Sequence, residues 1–475
     1  MLSNKNNLYF EKTINFLFCL FPISLIVGSL ILNLNLFLLL AVSFLYLYNN
    51  KYSFTFSYTN IFLITFFIFI ILTSLLNIES NNYKNSIKAI LLLRFLFLYL
   101  IIETLLKKNK LDLKNFFLIS LVCTVFVSSD VIFQYTFGFD VFGYLPWDGM
   151  IAGPFEHEAV AGTFLQKFSL FSIFGFILFF NNKNHSKKIL LLIILLILFG
   201  AFFASNRIST VVLIASFFLL IAIYRNLRPT ILLSLVIFAT FSAILINNDD
   251  VLKKKYQHLY KRFFLKSEIV QKDLSTITNS EINSKKKVVL SNSLHYRIYL
   301  TAIESWKNKP ILGQGHKSFR TKCNNVISKN VNFHCSTHPH NYHLQVLHDY
   351  GLIGYLLISL FIFSILFKIY KKLSEKKSIK TNYNIYFIPI IISLLMEIWP
   401  IKSTGDLFTT WNGATVWMVV SLSAILGANL KKENFNHFFK KNNLIFTYTS
   451  IMLSALIIKR VYLHITFYSW WDKIF

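Results

Sequence analysis

The sequence predicts an all-α integral membrane protein, a polytopic bundle of about twelve transmembrane helices with one large periplasmic loop. Three observations predict it. The 475 residues are 55% hydrophobic and only 15% charged, with a mean hydropathy of +0.55, a balance foreign to soluble domains. Apolar runs of the ~17–25 residues that cross a bilayer as a helix recur along the chain. The basic residues alternate between loops: 107–114, 181–188, 225–228, 368–380 and 431–442 hold nineteen lysines and arginines, whereas the short loops between them hold Lys84, Arg207 and Lys402. That bias is the positive-inside signature. The formal net charge of +27 therefore belongs to a cytoplasmic membrane face, and no nucleic-acid partner is expected.

The spans follow in order. Thr13–Leu32 lacks a small-residue cleavage site and is expected to stay as the first helix. Further spans fall near 34–48, 60–76, 86–106, 115–137, 160–180, 189–204, 208–224 and 229–246, so that residues 1–246 carry nine helices. With the N-terminus inside, the ninth ends outside. Residues 247–349 then form the large loop, 350–430 carry three more helices, and 431–475 are a basic cytoplasmic segment. Within that segment Leu444–Ile458 is either a thirteenth span or an interfacial helix. The loop has a polar first half with lysine runs at 253–255 and 285–287, most simply a solvated surface. From Ser293 an amphipathic helix begins, with Leu294, Ile298 and Ala302 on one side, and Pro310 and the glycines of ILGQGHKSF stop it.

Cys19 and Cys123 lie in apolar helices, where small buried residues are the simple reading. Cys323 and Cys335 share the long loop; in a periplasmic setting they are a disulfide candidate.

The chemistry-bearing stretch is Ser336–Gly354, STHPHNYHLQVLHDYGLIG. Pro339 suits the first position of a helix and disfavours helical backbone at His338, which puts His340 in the first turn. Leu344, Leu347, Gly351 and Gly354 follow on one face. Free N–H groups and the positive dipole end attract anions there and keep an imidazole neutral, so His340 is a candidate general base beside a candidate phosphate site. His334, His338, His343 and His348 raise a zinc site as an alternative, but HxH without a nearby acid is a loose pattern, and no metal is expected. Arginine is scarce, 8 of 48 basic residues, and its planar fork binds phosphate bidentately where lysine does not. Arg207 sits against the charge bias at a tight outer turn. Arg94, inside an apolar helix, must face a partner or a cavity; pairing with an acid and ligand binding both stay open. Arg297, in the amphipathic helix, reads in isolation as a surface residue. Glu156, His157 and Glu158 precede the sixth span as metal ligands, a base, or a charged helix start favoured by the dipole. No Walker loop, dinucleotide fingerprint or GxSxG is present.

At these residues the chain resembles the O-antigen ligase and polymerase superfamily of membrane glycosyltransferases. The family's H-[NSQ]-x9-G-x-x-[GTY] is met by His340, Asn341, Gly351 and Gly354. Its R-x8-W-x3-P-x2-G-x-G-x3-F is met by Arg297, Trp306, Pro310, Gly313, Gly315 and Phe319. Ser205-Asn206-Arg207 resembles the family's Ser-x-Arg turn, Ala152–Gly162 its G-x-F block, and Trp399–Gly413 the block before its last helices. Asp349 stands where Glu is common. The resemblance covers roughly residues 140–430. It implies a GT-C-like helical fold in the bacterial inner membrane that takes a glycan from an undecaprenyl diphosphate carrier and attaches it, with inversion and no cofactor, to an acceptor hydroxyl of lipid A–core. A polymerase, whose acceptor is another lipid-linked glycan, shares the motifs. His340 would be the base; Arg207, Arg297 and Arg94 would hold the diphosphate; Asn341, Gly351, Gly354 and Glu158 would support them. A lipid-linked sugar transporter is the reading from another class. It predicts charges at mid-membrane and repeated halves, whereas here the candidates gather at the outer boundary.

Overall fold

The computed structural model describes residues 2–78, 83–146, 150–156, 158–180, 185–204, 206–250, 252–253, 256, 294–328, 330, 333–374, 384–400, 402–427 and 441–471. Its long elements are α1 (Leu2–Val27), α2 (Ser29–Asn49), α3 (Tyr58–Leu76), α4 (Tyr83–Leu91), α5 (Leu93–Lys107), α6 (Leu113–Phe137), α7 (Ala161–Phe180), α8 (Ser186–Phe203), α9 (Arg207–Ile223), α10 (Arg228–Asn248), α11 (Leu294–Trp306), α12 (Tyr342–Ser374), α13 (Asn384–Glu397), α14 (Thr410–Leu422) and α15 (Lys441–Trp471). Among the described residues there is no strand. Among the described residues, nine helical segments are long and apolar enough to cross a membrane, and three shorter apolar ones, 207–223, 385–397 and 410–426, accompany them. This is the polytopic all-α architecture expected from the apolar runs.

Some boundaries differ from the sequence reading. The first span ends at Val27 rather than Leu32, because Gly28 (φ 135°) breaks the apolar run, and Leu32 belongs to α2. The single span expected over 86–106 is present as one apolar stretch, Tyr83–Lys107, with a one-residue turn at Leu92 between α4 and α5. The lysine runs of the long loop lie outside the described residues, apart from Lys253.

Without water to pair backbone groups, helices are the available spanning form, and small residues let them approach. Gly175 of α7 lies on the Phe117 carbonyl of α6, and Gly200 of α8 lies against Ser128, where an added Cβ would stand 2.9 Å from its Cα. Buried polar side chains lock the contacts: Asn35 Nδ2 donates to Ser24 Oγ at 2.9 Å, and Thr124 and Ser172 hydroxyls meet at 2.6 Å. The opposite faces, such as Leu232, Val236 and Phe241 of α10 and Phe37 of α2, are exposed apolar surface suited to lipid.

The C-terminal helix α15 packs along α1. Tyr448 Oη donates to the Phe16 carbonyl at 2.9 Å, and Lys459 Nζ pairs with Glu156 at 2.7 Å.

Candidate active site

The site is built at the N-terminus of α12. Asn341 caps that helix, its Oδ1 accepting the Leu344 N–H at 3.1 Å. Its Nδ2 donates to the Pro400 carbonyl at 2.7 Å, tying the helix start to the segment between α13 and α14. The helix begins at Tyr342, three residues later than expected: Pro339 is not its first residue and His340 is not in its first turn. His340 instead has φ 53°, a left-handed backbone uncommon for a side-chain-bearing residue. Its carbonyl accepts the Thr404 N–H at 2.9 Å and the Tyr299 hydroxyl at 3.4 Å. Held on both sides, the residue turns its ring out of the helical path, with Nε2 3.2 Å from Ser336 Oγ.

That ring enters a cavity of about 310 Å³ lined by α7, the start of α9, His295 at the start of α11, the 338–342 segment and residues 402–405. Three imidazoles meet there, His340 lying 4.0 Å from His338 and 5.1 Å from His295, ring centre to ring centre. Burial, then the neighbouring His338 and His295, push the His340 pKa down to about 4; burial lowers His338 as well. A pKa held that low leaves the imidazole neutral near pH 7. The cause is desolvation and like-charge crowding rather than the helix end. Lys167 and Lys402 also line the cavity, as do Asn206, Thr404 and Asn412.

The two glycine motifs form one interlock behind His340. The helical path of α12 breaks at Gly351 (φ 63°, ψ −165°). The Pro310–Gly315 loop supplies the hydrogen bonds that the break removes. Leu352 and Ile353 N–H donate to the Pro310 and Ile311 carbonyls at 2.9 and 3.2 Å, and Gln314 and Gly315 N–H donate to the His348 and Asp349 carbonyls at 3.2 and 2.8 Å. Gly313 and Gly351 face each other backbone to backbone, which is why both positions lack a side chain. Below them Asp349 Oδ1 accepts from Ser318 Oγ at 3.1 Å and contacts His348 Nδ1 at 2.9 Å, and His348 Nε2 lies 3.0 Å from Ser305 Oγ. His348 is thus part of a buried structural network. Gly354 packs beside Phe69 of α3, an added Cβ there lying 3.4 Å from the ring.

The other predicted residues are placed as follows. Arg207 opens α9 between two residues, Asn206 and Ile208, that line the cavity, but its own side chain does not line it. Arg297 donates to the Phe333 carbonyl at 3.2 Å. Arg94 reaches neutral partners rather than an acid, Asn33 Oδ1 at 2.9 Å and Thr410 Oγ1 at 3.3 Å, and lies 4.8 Å from the Phe95 ring centre. Glu158 is exposed, two residues before the cavity-lining Val160; Glu156 is committed to Lys459. His157 and Ser205 lie outside the described residues. Cys323 and Cys335 are joined as a disulfide, Cα atoms 5.5 Å apart. Among the described residues no cluster of three or more His, Cys, Asp or Glu forms a metal-holding group.

Sequence reasoning missed His295, Lys167, Lys402 and Glu397. Lys167 and Glu397 carried a usable signal, since an ionisable residue inside an apolar helix marks function until shown otherwise. His295 carried none, because only the fold brings it to His340.

Residues 168–359 match the family model described as O-antigen ligase. The matched stretch holds Arg207, Arg297, His340, Asn341, Gly351 and Gly354. No curated protein matches the chain.

Proposed function

From the O-antigen ligase match, which supports the O-antigen ligase and polymerase superfamily for this chain, we propose that the protein is an O-antigen ligase-type glycosyltransferase acting on the periplasmic side of the bacterial inner membrane. The donor is a glycan on an undecaprenyl diphosphate carrier and the acceptor a hydroxyl of lipid A–core. The observation that carries the reading is His340, neutral and positioned by Thr404 and Tyr299, at the wall of the 310 Å³ cavity. The acceptor O–H gives its proton to the imidazole, its oxygen bonds to the anomeric carbon, and the bond from that carbon to the diphosphate oxygen breaks, inverting the centre. The lipid diphosphate leaves with the electron pair.

A neighbouring negative charge favours imidazolium, so an anion sharing the cavity would raise the proton affinity of His340. The donor's own diphosphate would thus switch the base on. Arg207, at the tip of α9 beside Asn206, would approach the diphosphate from the cavity's edge. Arg94 and Arg297 are already engaged with protein partners, so their expected diphosphate role would require those bonds to exchange. In this reading the chemistry needs no cofactor.

The test is transfer by the purified protein from a lipid-linked glycan to lipid A–core. His340→Ala should lose activity by about 10²–10⁴-fold, the usual contribution of general base catalysis, with the variant inserted and folded. Arg207→Lys should lose more than charge conservation predicts. Wild-type turnover in His340→Ala would sink the base assignment. In cells lacking the protein, lipopolysaccharide gels should lose all long-chain bands. Retention of single-repeat bands would identify a polymerase instead.

A further inference from the structure

We infer that Lys167 and Lys402 form an anion clamp in the cavity wall, sharing Glu397 as counter-ion and holding a diphosphate-class group beside His340. The inference rests on reading the cavity as the transfer site. Lys167 Nζ lies 2.7 Å from Glu397 Oε1, and Lys402 Nζ 3.1 Å from Glu397 Oε2. All three side chains are buried, 2%, 7% and 1% exposed respectively, and they come from three elements: α7, the segment after α13, and the end of α13.

The charge balance is what points to a ligand. Two ammonium groups share one carboxylate, so the triad carries one surplus positive charge in a buried place. A cross-link between α7 and α13 needs one lysine, and a second desolvated cation is costly unless something answers it. Lys167 brings an ammonium with three donors to a single carboxylate oxygen 2.7 Å away, and the other oxygen of that carboxylate serves Lys402. Beyond Glu397, Lys402 has the Tyr342 ring, 5.8 Å away. Both lysines line the same cavity as His340.

One strap fixes the clamp relative to the base. Asn341 Nδ2 holds the Pro400 carbonyl at 2.7 Å and also reaches the Lys402 carbonyl at 3.4 Å, while Thr404 N–H holds the His340 carbonyl at 2.9 Å. Lys402 and His340 are thereby positioned by the same short stretch of chain. No arginine lines this cavity, so among the described residues the cations available to an anion inside it are these lysines. As compact point charges on flexible stems they suit a tetrahedral oxyanion that turns as its bond breaks.

Inorganic pyrophosphate, inorganic phosphate and glucuronate, titrated into the full-length protein in detergent with thermal unfolding and calorimetry as readouts, test the clamp. Pyrophosphate should raise the midpoint of the wild type and bind more tightly than phosphate or glucuronate. Lys167→Gln and Lys402→Gln should each weaken pyrophosphate at least about tenfold, about 1.4 kcal/mol. Glu397→Gln should tighten it, because both lysines lose their internal competitor. Should the lysine-to-glutamine variants fail to fold, Glu397→Gln and Lys402→Arg carry the test, and unchanged or weaker pyrophosphate binding in Glu397→Gln overturns the clamp. Lysine-dependent binding of glucuronate in preference to pyrophosphate would assign the anion to the acceptor sugar and overturn the diphosphate assignment. Lower midpoints with unaltered pyrophosphate affinity would reduce the triad to a structural cross-link. Pyrophosphate affinity reads the lysines and glycan transfer reads His340, so a failed base and a failed clamp read differently.

Discussion

Replacing Gly351 by alanine should be among the most damaging single-methyl changes in this chain. The residue sits at φ 63°, ψ −165°, a region open essentially to glycine alone, so a side chain costs about 1–3 kcal/mol in backbone strain. The added Cβ would also stand 2.5 Å from Gly313 N, where no carbon can remain. Either α12 or the 310–315 loop must move, and the four hydrogen bonds between them, at 2.8–3.2 Å, loosen together. At about 0.5–1.5 kcal/mol each, losing half of them adds roughly 1–3 kcal/mol, for a total near 2–6 kcal/mol. Gly138→Ala is the control. That glycine also has positive φ (80°), but nothing lies within 4 Å of its added Cβ, so it meets strain alone, about 1 kcal/mol. Denaturation midpoints of the two variants in the same detergent check the difference. If Gly351→Ala is no more destabilising than Gly138→Ala, the interlock is not what holds α12 to the loop.

Two further outcomes follow from the same geometry. Burial pushes His316 down to about 3 and His340 to about 4, against an ordinary value of 6.5. Below pH 6.5 the unfolded chain takes up protons that these folded side chains refuse, so stability is full above that pH and falls as pH drops toward 3–4. Midpoints that stay level from pH 7 to pH 4.5, with His316→Phe behaving as wild type, would contradict this. Cys323→Ser opens a link across a sequence separation of 12 and should cost about 3 kcal/mol on a chain-entropy account. It should also abolish the mobility difference between reduced and oxidised protein on a gel; equal mobility of the wild type with and without reductant would count against the bond.

The helical framework was legible because the bilayer demands long apolar runs, and length needs no tertiary information. The breaks were not. Gly28 interrupts a run whose hydropathy continues across it, so only backbone geometry reveals the turn. At the site, the histidine and glycine motifs named residues that the fold places at the start of α12 and at its break, but Pro339 suggested the wrong helix start. Asn341 was the better guide, since its side chain satisfies a helix-terminal N–H and Pro339 satisfies none. Arginine covered only part of the cations near the site. Its scarcity drew attention to Arg94 and Arg297, which the fold spends on Asn33, Thr410 and the Phe333 carbonyl, while Lys167 passed as one cation in an apolar helix.

The spacing of His340 and Gly351 acquires a physical reason from the interlock. A helix that ran unbroken from Tyr342 to Ser374 would be oriented by the packing of its lower part alone, chiefly against α3. The break at Gly351 frees the segment before it, Tyr342–Tyr350, to take its direction from the Pro310–Gly315 loop instead. That loop follows directly on α11, the helix that carries His295 and Tyr299. So the element that orients the start of α12 also supplies one imidazole of the cavity and a hydrogen bond to the His340 carbonyl. At the other side, Asn341 and Thr404 tie the same point to the strap bearing Lys402. His340 is held where three independently anchored pieces of chain converge. Its left-handed backbone is then the conformation left over when all three anchors are satisfied, and strain at such a position is tolerated only because the surroundings over-determine it.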